Sequence, residues 1–278
     1  MNSIKPSVLI VILNYGTFER TLKLIRELQV ELEYNNYEVM VVDNCSPNES
    51  AEVLKKNSKE MNFIFYENET NAGYAAGNNI GIRYGIENGF DYSWILNNDV
   101  ELREKNVLAH MISIAERNPK VGCVGPMIYT FDGSICAPYC RRLTLWNMTF
   151  GIAAEKKYRK KYIHVSREVY RVYGCCMILN NKAMADVDCM DERTFLYGEE
   201  DILAERMLAK EYVSYYDAAV SITHKESTSM KKMLKNRKEV QIRETNKSME
   251  LYLKEYRKFS VMARWVCKLV KRLIIQIR

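Results

Sequence analysis

Short apolar segments alternate with amphipathic segments through about the first hundred residues of the chain. Residues 8–13 form a continuous apolar run, which is typical of a strand covered on both faces. The next segment carries Leu22, Ile25 and Leu28 on one helical face and predicts a helix over residues 17–32. Further strands are predicted at 39–42, 63–66 and 94–96, with helices between them at 50–59 and 75–88. This alternation predicts an α/β fold with a doubly wound, mostly parallel sheet and helices on both faces.

The second half of the chain is less regular. Helices are predicted at residues 104–116 and 199–210, and strands at 121–129 and 213–216. Residues 131–171 show no clean period and are predicted to form an irregular insert. The predicted organisation is one domain over 1–224, divided into halves 1–103 and 104–224, followed by a basic helical extension over 225–278.

The formal net charge of +6 is distributed unevenly. Residues 141–171 hold 9 basic and 2 acidic side chains, and residues 225–278 hold 16 basic and 5 acidic ones. The rest of the chain therefore carries 16 basic and 28 acidic side chains. An acidic body with a basic insert and a basic tail predicts an anionic partner, either a membrane or a nucleic acid.

Composition excludes several classes of protein. With 47% hydrophobic and 27% charged residues the chain can bury a core, so global disorder is excluded. No apolar run approaches the ~20 residues that span a bilayer, and the start of the chain lacks a signal-peptide cleavage site. The eight cysteines contain no C-x-x-C pair, and Cys136 and Cys140 have no histidine near them in sequence. We therefore expect buried, reduced thiols rather than a zinc site, in a cytoplasmic protein.

Polar residues follow each of the first four predicted strands. These are Asn14-Tyr15, Asp43-Asn44-Cys45-Ser46, the segment 67–71, and Asn97-Asn98-Asp99. Asn and Asp form turns readily, which is a sufficient explanation for any one of these segments. Because ligands of such sheets bind beyond the carboxyl ends of the strands, four together favour a shared polar pocket.

Three motifs and one histidine suggest chemistry. The oxygens of Asn97-Asn98-Asp99 suit Mg²⁺ or Mn²⁺, which commonly bridge to phosphates. The small residues of segment 71–79 open a helix and favour an anion, although their spacing matches neither a dinucleotide fingerprint nor a P-loop. Glu199-Glu200-Asp201 place three carboxylates in the first turn of a helix. They either complement the helix dipole or supply a general base, because like charges held together raise the pKa of one of them. His224 follows a strand and is either structural or a contact to metal or phosphate.

Taken in order, these motifs resemble the inverting glycosyltransferases of family 2, which have the Rossmann-like GT-A fold. The likeness covers about residues 6–225 and rests on the strand ends, the segment 71–81, the segment 195–206 and His224. The subgroup that is most similar comprises bacterial polysaccharide enzymes, including rhamnosyltransferases. The resemblance implies a metal-dependent transferase that moves a hexosyl or rhamnosyl group from a UDP or dTDP donor to a lipid-linked or growing polysaccharide.

The resemblance also implies roles for single residues. The residues expected around the nucleotide are Asn14, Tyr15, Asp43, Asn44, Asn71, Gly73, Gly77, Asn78 and Asn98. Asp99 would bind Mg²⁺ or Mn²⁺ with the donor diphosphate, and His224 matches a position that touches the metal or the diphosphate. Asn97 stands where many members have Asp, which leaves Asp99 as the only carboxylate of that motif. The family's Glu-Asp pair can be aligned in two ways. If it corresponds to Glu199-Glu200, Glu200 is the candidate base. If it corresponds to Glu200-Asp201, Asp201 is the candidate base.

The last predicted helix has an apolar stripe at four-residue spacing, formed by Val261, Trp265, Leu269, Leu273 and Ile277. A basic amphipathic helix that contains Trp can lie in a membrane interface, so residues 259–278 are predicted to hold the protein at the inner face of a bacterial membrane. The alternatives are packing on its own domain or on a second subunit in a homodimer. A nucleic-acid-binding protein and a catalytically silent scaffold are the other functions considered; the acidic body and the lack of a recognition motif disfavour nucleic acid.

Overall fold

A nine-stranded sheet runs through the part of the chain that the computed structural model describes, residues 5–225 and 237–276. The strands are β1 (Val8–Asn14), β2 (Tyr37–Asp43), β3 (Ile64–Glu67), β4 (Tyr92–Leu96), β5 (Val100–Leu102), β6 (Val121–Thr130), β7 (Arg167–Val169), β8 (Cys176–Asn180) and β9 (Val213–His224). They are ordered β3-β2-β1-β4-β8-β6-β9-β5, and β7 pairs with β9. Strands β5, β7 and β8 run opposite to the other six, so the predicted mostly parallel sheet is confirmed.

Helices cover both faces of this sheet. They are α1 (Phe18–Glu31), α2 (Ser50–Asn57), α3 (Tyr74–Glu87), α4 (Val107–Arg117), α5 (Leu145–Met148), α6 (Ile152–Lys160), α7 (Asn181–Asp186), α8 (Glu199–Leu208), α9 (Arg237–Leu251) and α10 (Val261–Gln276), with a π-helical turn at Tyr252–Tyr256. None of the helices within the described residues is both long enough and apolar enough to cross a membrane.

The apolar run of β1 divides between two cores. Val8, Ile10 and Ile12 face the core that α1 and α4 cover, whereas Leu9 and Val11 face the core that α3, α7 and α8 cover. All five side chains are fully buried. Because both faces of the strand are covered, none of these side chains faces water and none needs to be polar. The apolar run is therefore continuous in sequence.

Helix α3 lies unusually close to β1. A Cβ atom on Gly77 would lie 2.6 Å from Leu13 Cδ1, and one on Gly81 would lie 2.4 Å from Val11 Cγ1. Neither distance is sterically tolerable. The small residues of this segment therefore allow the helix to pack against the sheet.

The insert is more regular than predicted. It contains α5, α6 and β7, so the prediction of an irregular segment over 131–171 was wrong for those elements. The extension is not separate from the rest of the protein: Ile202 of α8 shares a buried cluster with Tyr252, Leu253 and Cys267. The extension therefore packs on the helix that carries the three candidate carboxylates.

All eight cysteines are free thiols. Six are buried as expected, whereas Cys45 is exposed and Cys136 is half-buried. No group of three or more His, Cys, Asp or Glu side chains within residues 5–225 and 237–276 is arranged to hold a metal ion.

Candidate active site

A cavity of about 490 Å³ opens beyond the carboxyl end of β4. Asn97 and Asp99, which follow β4, and His224 at the end of β9 form its floor. The first turn of α8, helix α9 and the π-helical turn also line it. The lining residues are Tyr74, Asn97, Asp99, Arg171, Tyr173, Gly174, Cys175, Leu196, Tyr197, Gly198, Glu199, Glu200, Asp201, His224, Thr245, Ser248, Met249 and Tyr252.

Asp99 and His224 meet at this floor because β5 and β9 are paired. The ladder places Val100 opposite His224, and the Lys225 amide donates to the Asp99 carbonyl at 2.9 Å. Asp99 Oδ1 lies 3.1 Å from His224 Nε2. That oxygen is buried and has no aligned hydrogen-bond donor, although a buried carboxylate oxygen is normally satisfied.

An unsatisfied carboxylate oxygen beside an imidazole nitrogen fits a divalent cation. Asp99 and His224 supply two ligands, and no described cluster of His, Cys, Asp or Glu supplies a third. Magnesium and manganese bind few carboxylates and complete their shells with water and substrate phosphate oxygens. The pair therefore fits an ion that binds together with a diphosphate.

The three carboxylates at the start of α8 are held in different ways. The turn before the helix has Tyr197 at φ +68° and Gly198 at φ +90°, so the chain enters α8 abruptly. The Gly174 amide donates to Glu200 Oε1 at 3.1 Å. Glu200 lines the cavity, and no Lys or Arg among the described residues forms an ion pair with its carboxylate.

Asp201 is paired instead. Arg171 Nε donates to Asp201 Oδ1 at 2.9 Å, and the guanidinium of Arg171 lies 3.5 Å from the centroid of the Tyr139 ring. Burial raises the pKa of Asp201, and the positive charge of Arg171 opposes that rise. An aspartate that accepts a hydrogen bond from a stacked arginine is poorly placed to take a proton from a ligand.

Glu199 is buried, with only 4% of its surface exposed, and its Oε2 atom has no hydrogen-bond partner. Burial raises the pKa of Glu199 well above its ordinary value, and the neighbouring Glu200 carboxylate raises it further. We therefore assign Glu199 the neutral form. Among the three carboxylates, Glu200 has the geometry of a general base.

Most residues predicted to surround the nucleotide form a buried network beside the cavity. Asn14 Nδ2 donates to Asp43 Oδ1 at 2.7 Å, and the Ser46 hydroxyl donates to the same oxygen at 2.6 Å. Asn98 Nδ2 donates to Thr21 Oγ1 at 2.9 Å. Asp43 is fully buried, so its carboxylate orders the strand ends, and its contact with a nucleotide stays a prediction.

A second part of this network joins β2 to the start of α3. Asn44 Nδ2 donates to Asn71 Oδ1 at 3.0 Å and to the Gly73 carbonyl at 3.2 Å. Gly73 has φ +97°, and a Cβ there would lie 2.3 Å from the Phe195 carbonyl oxygen. This close approach couples the helix start to the turn before α8.

The remaining predicted contacts lie elsewhere. Tyr15 is exposed after β1, whereas Asn78 is fully buried and donates to the Tyr74 carbonyl at 2.9 Å. Asn78 and Gly77 belong to the packing of α3 on the sheet. The cavity thus unites Asp99, His224 and the three carboxylates, and none of the residues predicted around the nucleotide lines it.

Several lining residues were not predicted from sequence. Tyr74 donates to the Gly174 carbonyl at 2.7 Å, and Gly174 in turn holds Glu200. The only signal for Gly174 was a glycine inside an apolar segment. The cavity-lining residues of the extension carry no motif; they are Thr245, Ser248, Met249 and Tyr252. They reach the cavity because Ser248 packs against Gly198.

Glu205 of α8 fixes the extension and the insert to this helix. Arg142 Nε and the Tyr170 hydroxyl each donate to Glu205 Oε1 at 2.7 Å, and Arg257 Nε lies 3.5 Å from it. Arg257 also donates to the Tyr252 hydroxyl at 2.7 Å. One buried carboxylate therefore joins three segments that are distant in sequence.

Comparison with known proteins agrees with this architecture. The chain is 23% identical over 192 residues to a low-salt glycan biosynthesis hexosyltransferase of Haloferax volcanii, covering 69% of this chain and 58% of that protein. It is 26% identical over 153 residues to an N-acetylglucosaminyl-diphospho-decaprenol L-rhamnosyltransferase of Mycobacterium tuberculosis, covering 50% of this chain and 48% of that protein. The chain thus spans only about half the length of these relatives.

Solved structures share the fold at low sequence identity. A mannosyltransferase of Pyrobaculum calidifontis, in complex with GDP-Man and Mn²⁺, has a TM-score of 0.63 at 12% identity, covering 91% of this chain and 66% of that one. TarS of S. aureus, residues 1–349 in complex with UDP-GlcNAc, has a TM-score of 0.58 at 13% identity, covering 88% and 65%. The family model described as glycosyl transferase family 2 matches residues 7–187. The chain therefore belongs to glycosyl transferase family 2 and has the GT-A fold.

Proposed function

We propose that this protein is an inverting glycosyltransferase that moves a sugar from a nucleotide-diphosphate donor to a hydroxyl group of a glycan acceptor. The observation that carries the proposal is the pairing, in one cavity, of the Asp99–His224 cation site with the unpaired Glu200 carboxylate. A transferase that inverts configuration needs both a group that holds the donor diphosphate and a base on the acceptor side.

Glu200 is assigned the role of general base. It accepts the proton of the acceptor hydroxyl while the hydroxyl oxygen bonds to the anomeric carbon of the donor sugar. The bond from that carbon to the diphosphate oxygen breaks on the opposite face, and the electron pair leaves with the nucleoside diphosphate. The Gly174 amide and the Tyr74 hydroxyl, joined by the Gly174 carbonyl, hold the geometry around Glu200.

Asp99 and His224 would hold Mg²⁺ or Mn²⁺, and the ion would stabilise the charge on the departing diphosphate. Two related structures were determined with Mn²⁺, which supports a divalent ion here.

The donor is proposed to be dTDP-rhamnose or a UDP-hexose, and the acceptor a lipid-linked or growing cell-surface polysaccharide. The names of the relatives support this range, since one is a rhamnosyltransferase that acts on a diphospho-decaprenol glycan and another is a hexosyltransferase. Ser248, Met249 and Tyr252 of the extension line the cavity beside the start of α8. A wall of small polar, thioether and aromatic groups suits a sugar ring, so we assign it to the acceptor.

Two matched variants test the assignment of the base. Glu200→Gln removes the proton acceptor and is expected to lower the transfer rate about 10²–10⁴-fold while donor affinity is kept. Glu199→Gln changes an already neutral group and is expected to keep most of the activity. Transfer at the wild-type rate by Glu200→Gln, measured with donors that the wild type turns over, contradicts the assignment.

A panel of nucleotide sugars, scored for metal-dependent binding and slow hydrolysis, tests the function as a whole. Turnover of any donor excludes a silent scaffold, which the Asn at position 97 leaves as the alternative. Binding of duplex or single-stranded nucleic acid, without donor turnover, would favour the other alternative.

The location is proposed to be the inner face of a bacterial membrane, with contact through residues 259–278. Part of the predicted apolar stripe supports this, because Val261, Trp265 and Leu269 are exposed rather than buried on the domain. Leu273 and Ile277 lie outside the residues whose side chains the structure describes.

A further inference from the structure

We propose that the insert hairpin α5–α6 forms, together with α10, one docking surface for an anionic lipid bilayer. The surface, called the interfacial patch below, comprises Trp146, Phe150, Val261, Met262, Trp265 and Leu269 with the exposed lysines of α6. It goes beyond the proposed reaction, because it assigns membrane contact to a segment that is more than one hundred residues away from α10 in sequence.

The aromatic half of the patch is held rigidly. Thr144 caps α5 by accepting from the Asn147 amide at 3.3 Å, and the Gly151 amide donates to the Trp146 carbonyl at 2.7 Å. The Trp146 and Phe150 rings lie 5.6 Å apart between centroids. Although they are fixed in this way, Trp146 is 61% exposed and Phe150 is 70% exposed.

Helix α10 contacts α5 and presents a second apolar strip beside it. Cys267 of α10 is buried in a cluster against which Leu145 and Met148 of α5 also pack. On α10, Met262 is 76% exposed and Trp265 is 60% exposed. Neighbouring helices thus each bury one face in a shared cluster and leave large apolar side chains outside it. Large apolar groups gathered on a surface mark an interaction site.

The charges of α6 indicate which kind of partner binds the interfacial patch. The arginines of the insert are used internally: Arg141 pairs with Glu155, Arg142 with Glu205, and Arg171 with Asp201. The lysines of α6 and its C-terminal turn are exposed and form no ion pair among the described residues; they are Lys156, Lys157, Lys160 and Lys161.

Exposed Trp and Phe next to unpaired lysines match the interface of a bilayer. The aromatic rings insert at headgroup level, and the lysines meet the anionic headgroups. Each lysine near an anionic surface strengthens binding about fivefold, so four lysines are a substantial contribution.

The experiment uses the full chain in flotation with vesicles of phosphatidylglycerol and phosphatidylcholine, and with pure phosphatidylcholine. Trp146→Ala/Phe150→Ala is expected to weaken binding to the anionic vesicles at least about tenfold. Lys156→Glu/Lys157→Glu is expected to weaken it at least about 25-fold. The matched controls are Phe131→Ala, an exposed aromatic outside the patch, and Lys55→Glu/Lys56→Glu, the same charge change on α2. Both controls are expected to bind like the wild type.

The proposal is overturned if the wild type does not float with anionic vesicles, or if either patch variant floats as the wild type does. It is also overturned if the two charge-reversed variants lose binding equally, since the loss then follows net charge rather than position. A dimer in sedimentation equilibrium that Trp146→Ala/Phe150→Ala dissociates, without vesicle binding, would identify a second copy as the occupant. Donor hydrolysis and the melting temperature are measured for every variant and are expected to stay unchanged, so failure of this proposal and failure of the proposed reaction are distinguishable.

Discussion

Replacing Glu205 by Gln tests whether the extension is an integral part of the catalytic domain. The side chain of Glu205 is almost fully buried, accepts hydrogen bonds from Arg142 and Tyr170, and forms an ion pair with Arg257. Glu205→Gln keeps the shape of the side chain but removes its charge. Arg257, whose side chain is only 7% exposed, then stays buried without a counter-charge.

The expected cost follows from that burial. Removing one partner of a buried ion pair costs about 3–5 kcal/mol, because the other charge stays desolvated. Arg142 contributes less, since half of its side chain is exposed and water can solvate it. At about 2–4 °C per kcal/mol for a chain near this size, the melting temperature should fall by roughly 10 °C.

Urea unfolding monitored by tryptophan fluorescence measures the loss in free energy of unfolding. The matched control is Glu211→Gln in the exposed turn after α8, expected to change stability by less than about 0.5 kcal/mol. A double-mutant cycle with Arg142→Gln measures how much of the loss in stability comes from the Arg142–Glu205 ion pair. A loss below about 1 kcal/mol for Glu205→Gln would refute the reasoning that this carboxylate holds the three segments together.

Three further outcomes are expected. The folded protein keeps the Glu199 proton at pH values where the unfolded chain has lost it, so the raised pKa makes stability fall as the pH rises above about 4.5. Glu199→Gln removes that loss and should gain up to about 1.4 kcal/mol per pH unit over the wild type in this window, measured by urea unfolding across pH. Gly73→Ala should destabilise the fold by about 1–3 kcal/mol or more, since the new Cβ would meet the Phe195 carbonyl. Gly133→Ala, with open space around the glycine, should cost less stability. The urea unfolding midpoints of the two variants test this difference. Asp99→Asn should weaken Mn²⁺ binding in the presence of a nucleoside diphosphate at least about tenfold, measured by titration calorimetry.

Much of the fold was predictable because its signals are local. The alternation of apolar and amphipathic segments placed β1 to β4 and α1 to α3 within a few residues of their observed bounds. The helix at Glu199–Leu208 was also predicted. The prediction for the insert was wrong because α5 and α6 are short, and Leu145 and Met148 of α5 pack against the extension rather than a sheet. Their pattern depends on a neighbour that is distant in sequence.

The candidate site was likewise predictable only in part. Asp99, His224 and the three carboxylates were found because each follows a strand or opens a helix, where a polar residue stands out. Arg171 was counted among the basic residues of the insert, yet the fold uses it to pair with Asp201. The choice between Glu200 and Asp201 depended on this contact, which no spacing reveals.

The sequence by itself determined the alternation of strands and helices, the polar strand ends and the acidic helix start, because these depend on residues close together along the chain. Only the tertiary structure decided which carboxylate is unpaired, which strand-end residues are buried and which basic residues remain exposed. Those properties depend on desolvation and on contacts between segments such as Glu205, Arg142 and Arg257, which are distant in sequence and adjacent only in the folded protein.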